Sequence, residues 1–197
     1  MARTANTKEE RGPAKASTAA GVEKFAQADP RLATESEQWD RDTWLLATPG
    51  GTVDLRTGDL RPARREDLIT RQAAVAPAPA GTATPTPMWS AFLVEATRGD
   101  QELIANLQRV AGYCLTGDVS EQALFFIYGA GGNGKGVFIN TLTGVFGDYV
   151  TVSSMDTFRA SRSNRHETDL AMLRGARLVT AQETEEGRAW NEVRIRR

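Results

Sequence analysis

The residues best suited to chemistry form one glycine-rich run, Gly129-Ala130-Gly131-Gly132-Asn133-Gly134-Lys135-Gly136. Glycines at this density let successive backbone N–H groups turn toward a common centre, where they can grip phosphate oxygens. Lys135 adds a full positive charge suited to the β and γ phosphates of a nucleotide. The spacing is that of a phosphate-binding loop, or P-loop; the plain alternative is a glycine-rich surface turn. The position after the lysine ordinarily carries Ser or Thr, whose hydroxyl ligates Mg²⁺. Here it is Gly136. Water can replace that ligand, because Mg²⁺ keeps several waters in any case. Phosphate binding is therefore expected to survive better than hydrolysis.

A P-loop also needs a carboxylate at the end of a neighbouring strand, to hold Mg²⁺ or its water. Ala176-Arg177-Leu178-Val179-Thr180-Ala181-Gln182 reads as a buried strand that runs into Glu183-Thr184-Glu185-Glu186. Glu183 is the first candidate for holding the metal and polarising the attacking water, and Glu185 is the second. Gln182 stands where many such enzymes carry another acid, and it cannot supply negative charge. The competing reading is an acidic helix start, which the helix dipole favours. Between the two sites, Arg159, Arg162 and Arg165 fall within seven residues, among serines. Such a loop suits phosphate or DNA, or simply solvent. His166, the single histidine, reads more readily as a structural or surface residue than as a catalytic one.

The elements that position these groups can be read from periodicity. Ala123-Leu124-Phe125-Phe126-Ile127-Tyr128 is the apolar run expected of a parallel strand covered on both faces, and a helix follows through Leu142 and Val145. Upstream, helical spacing predicts a helix over Ala20–Ala28, ended by Pro30. Trp44–Thr48 and Thr52–Leu55 read as strands around the turn Pro49-Gly50-Gly51, with a further extended piece from Leu60. Trp39 and Trp44 are candidates for core packing or for stacking bases. Residues 73–87, with Pro77, Pro79, Pro85 and Pro87, form a semi-extended connector. Two helices are expected after it, around Met88–Val94 and Leu103–Val110, the second capped by Asp100. Gly112 and Gly117 should loosen the chain after them.

The bulk numbers agree with a globular protein. The chain has 197 residues, 40% hydrophobic and 25% charged, with a formal net charge of −1. Any nucleic-acid surface must then be local or built by symmetry. The single cysteine, Cys114, excludes an internal disulfide and is expected to be a buried thiol. No apolar run approaches the roughly 20 residues of a membrane span, and the N-terminus lacks a secretory apolar core. A soluble cytoplasmic protein is expected.

Several stretches together resemble a known family. Trp39-Asp40-Arg41-Asp42-Thr43-Trp44-Leu45-Leu46 and Gly51-Thr52-Val53-Asp54-Leu55-Arg56-Thr57-Gly58 look like the domain preceding the helicase in phage and plasmid primase–helicases of the satellite-phage alpha-protein type. Leu107–Gly117 is similar to the family's segment before the P-loop. Glu121–Phe126 with Asn133-Gly134-Lys135 resembles its Walker A region, and Asp169–Val179 with Glu183–Gly187 its Walker B region. The resemblance runs from about residue 22 to the end.

The resemblance implies a superfamily 3 helicase, a hexameric ring of the AAA+ type that unwinds DNA. The expected fold is α/β: a truncated P-loop NTPase with an AAA+-like parallel sheet, preceded by a small, mainly helical domain with a β-hairpin. The expected division is a flexible tail over 1–21, the helicase-preceding domain over 22–118 and the NTPase part over 119–197. The family's DNA-contacting hairpin, sensor asparagine and arginine finger have no counterpart before Arg197. An arginine finger is worth roughly 10³–10⁵ in rate. The expectation is a chain that binds ATP, hydrolyses it poorly and does not unwind DNA alone. The alternatives are a module that joins intact helicase subunits and regulates them, and an unrelated P-loop kinase of a small molecule.

Overall fold

In a computed structural model the described residues are 15–32, 34–79, 84–129, 131–154 and 172–182. They fall into two units, divided between Trp39 and Asp40.

The first unit holds helix α1, Ala16–Ala28. It starts earlier than the hydrophobic spacing predicts, so the end of the expected tail is helical. Ala16, Ala19 and Ala20 account for this, since alanine is the strongest helix former and needs no apolar partner. Asp29 leaves the helix in an extended conformation, as a residue before proline must.

The second unit carries two small sheets. Strands β1 (Leu45–Thr48), β2 (Gly51–Asp54) and β3 (Asp59–Arg61) form an antiparallel meander. Leu46 pairs with Val53, and Thr48 with Gly51. The expected hairpin is thus present, with the extended piece at Leu60 as its third strand. One 3-10 turn, Arg65–Asp67, follows. Asp67 closes it by accepting hydrogen bonds from Nη1 and Nη2 of Arg61, at 2.8 and 2.7 Å.

Helices α2 (Pro87–Ala96) and α3 (Gln101–Thr116) come next and pack on each other. Asp100 caps α3 by accepting the Leu103 N–H at 3.0 Å. The helix runs through Gly112, where a looser chain was expected, and stops at Gly117 in the left-handed conformation. Helix α4 covers Lys135–Phe146. Strand β4 (Val150–Ser154) then pairs in parallel with β5 (Leu178–Gln182), Val150 beside Leu178 and Ser154 beside Gln182.

The parallel sheet departs from expectation in one respect. Ala123–Tyr128 forms no strand, although its composition is that of one. Leu124 is 54% exposed, Phe126 58% and Tyr128 82%. A buried strand needs a ladder partner as well as apolar side chains, and no described strand pairs with this run. The described architecture is therefore mixed α/β, with a three-stranded antiparallel sheet and a two-stranded parallel one.

One core joins the meander to the helix after the glycine-rich run. Leu46 and Val53 from the meander meet Ala73, Phe146 and Tyr149. Residues 71–74 are the seam. Ala73 N–H donates to Ala47 O, Ala74 N–H to Val145 O, and Asp148 N–H to Gln72 O. Tyr149, 1% exposed, donates its hydroxyl to Arg71 O and accepts from Ala47 N–H, both at 3.0 Å. Cys114 is half-buried beside this core, and burial raises its thiol pKa. Among the described residues no helix is long and apolar enough to cross a membrane.

Candidate functional site

Three glycines of the glycine-rich run have positive φ. Gly132 and Gly134 have φ of +73° and +85°, and Gly129 has φ +150°. All three values lie in a region that L side chains avoid. Gly134 is the N-cap of α4, and Lys135 is the first residue of the helix. The loop therefore meets the N-terminal end of a twelve-residue helix, where backbone N–H groups lack intrahelical acceptors and the dipole is positive.

Lys135 turns back over the loop. Its ammonium donates to Gly129 O at 2.8 Å and to Asn133 Oδ1 at 2.8 Å. Three predicted site residues, Gly129, Asn133 and Lys135, are thereby brought together. A Cβ on Gly129 would lie 2.3 Å from Asn133 Nδ2, so glycine is what lets the Asn133 amide settle there. Gly136 faces open space, with nothing within 4 Å of a built Cβ. A serine would fit, but the glycine offers no metal ligand.

Helix α2 supports the loop from behind. A Cβ on Gly134 would come within 2.9 Å of the Phe92 ring and 3.3 Å of Ala96. Trp89 stacks between Phe92 and Phe138, with ring centroids 5.2 and 5.9 Å apart. Phe138 is buried one turn into α4. Sequence reading misses this contact. Phe92 looks like any apolar residue on a helix, and no spacing rule links α2 to a loop about forty residues away.

The acidic side is described up to its edge. Strand β5 ends at Gln182, as expected, and packs against α4. Glu183 and Glu185 lie outside the described residues, as do Ala130, Arg159, Arg162, Arg165 and His166. Arg177, just before β5, is a residue that sequence reading leaves without a role. Its guanidinium donates to Leu115 O at the end of α3 and to Leu45 O in β1. Burial lowers its pKa, while Tyr149, Asp40 and Asp42 favour its charge.

Neither tryptophan candidate sits in the core. Trp39 is 41% exposed in the first unit. Trp44, in the second, is half-buried with the Arg56 guanidinium 5.6 Å from its ring centroid.

No curated protein matches the chain. A family match ends between α2 and α3, before the glycine-rich loop. Residues 1–98 match the family described as D5 N terminal like, the N-terminal region of phage and plasmid primase–helicase D5-like proteins.

Proposed function

We propose that this chain is the ATP-binding portion of a phage- or plasmid-type replication helicase of superfamily 3. The family match supports a primase–helicase-like replication protein. The finer reading rests on one observation: the Lys135 ammonium lies over a loop of left-handed glycines at the start of α4. Glycine-to-lysine geometry of this kind suits a polyphosphate, because loop amides and an ammonium can both donate to one acceptor-rich ligand.

In this reading Gly129–Gly136 grip the phosphates and Lys135 neutralises their charge. Mg²⁺ would be held by phosphate oxygens, by water and by Glu183, because Gly136 has no hydroxyl to offer. Glu183, with Glu185 as the alternative, would polarise the attacking water. DNA as partner and a homo-oligomeric ring belong to the same proposal and come from the resemblance.

Equilibrium binding of labelled ATP to Lys135→Ala tests the site. A loss of at least tenfold in affinity is expected, since a charge-assisted contact to phosphate is removed. Unchanged affinity removes the proposal.

A further inference from the structure

We infer that Asn133 competes with phosphate for the Lys135 ammonium and so sets how tightly the loop holds a polyphosphate. This rests on the phosphate-loop reading above and adds a role that the Gly-x₄-Gly-Lys spacing does not require of this position.

A lysine ammonium has three N–H donors. Gly129 O takes one at 2.8 Å, and Asn133 Oδ1 takes another at 2.8 Å. The first acceptor is backbone and stays with the loop. The second is a side chain on an exposed residue, reaching from position 133 back to Gly129. Its amide lies so close to Gly129 that any Cβ there would collide with Nδ2. The arrangement is thus built by two choices, a side-chain acceptor at 133 and no side chain at 129.

A phosphate oxygen is the stronger acceptor, since its negative charge adds a Coulombic attraction to the ammonium that the neutral Asn133 carbonyl lacks. Where a phosphate oxygen takes the donor now held by the Asn133 carbonyl, the lost Asn133–Lys135 bond is subtracted from the binding energy. An amide suits this task. A carboxylate at 133 would pair with Lys135 and repel the phosphates.

The test uses the full chain with two probes, sodium tripolyphosphate and the Mg²⁺ complex of a non-hydrolysable ATP analogue. Asn133→Ala should bind both about five- to tenfold more tightly than the wild type. Asn133→Ser, too short to reach the ammonium, should move the same way. Asn133→Asp should bind more weakly than the wild type. Wild-type or weaker binding by Asn133→Ala and Asn133→Ser overturns the inference and leaves the loop as a phosphate site. Absence of binding by the wild type and all three variants overturns the loop reading and this inference with it. Unfolding midpoints equal to the wild type's within error are expected for all three, which separates competition at Lys135 from loop collapse.

Discussion

The Arg177 guanidinium carbon lies 4.3 Å from the centroid of the Tyr149 ring. The two residues flank the parallel sheet, Tyr149 just before β4 and Arg177 just before β5, and Arg177 N–H donates to Tyr149 O at 2.8 Å. From there Arg177 reaches α3 and β1, and Tyr149 reaches β1 and the 71–74 seam. The strand that leads to Glu183 is thereby tied to the meander in the front half of the chain.

Arg177→Met should destabilise the protein by about 2–3 kcal/mol. It leaves the Leu115 and Leu45 carbonyls without their donor, and an unsatisfied buried polar group costs roughly 1–3 kcal/mol. Arg177→Lys should recover little, because one ammonium cannot stack on Tyr149 and fork to two carbonyls as a planar guanidinium does. Urea midpoints of the two variants check this.

Tyr149→Phe keeps the packing and removes only the hydroxyl. Ala47 N–H and Arg71 O then lose their shared partner, and the expected loss is about 1–3 kcal/mol. A change below about 0.5 kcal/mol in a urea titration would show that the hydroxyl is replaced by water.

Acid should weaken the turn at residues 65–67. The Arg61 guanidinium, hydrogen-bonded to Asp67, holds the carboxyl pKa below its ordinary value of 3.8. A depressed folded pKa gives stability that is full above the unfolded value and is lost as pH falls through the folded one. The wild type should therefore lose stability below about pH 4, by an increment that Asp67→Asn does not lose. Melting temperatures of the two proteins between pH 7 and pH 2 measure the difference.

Gly134→Ala should impair ATP binding and lower stability together. The left-handed φ alone costs an L residue about 1–2 kcal/mol, and the new methyl meets the Phe92 ring. Phe92→Ala in the same chain relieves the collision but not the backbone cost. The double variant should consequently be less destabilised than the sum of the two single ones. Strict additivity would mean that Phe92 does not abut the loop in solution.

Local features of this chain are legible in the sequence because their causes are local. The Pro49-Gly50 turn, the Asp100 cap, the stop before Pro30 and the left-handed loop glycines each follow from one residue's own backbone chemistry. Long-range features are not. The apolar composition of Ala123–Tyr128 predicts a strand, but a strand exists only where another backbone pairs with it. Arg177 reads only as a residue of the strand before Glu183 until the fold brings two carbonyls and an aromatic ring to it. At the candidate site, the glycines and Lys135 are visible from spacing, whereas the Phe92 support and the Asn133–Lys135 contact depend on side-chain directions that spacing does not encode.

The central claim is that the amides of the glycine-rich loop receive a polyphosphate. Backbone amide resonances of residues 131–136, followed while the ATP analogue and Mg²⁺ are titrated in, test it most directly. Saturable shifts concentrated at Gly132, Asn133, Gly134, Lys135 and Gly136, and lost in Lys135→Ala, are the predicted result. Shifts elsewhere with these five amides unmoved would contradict it.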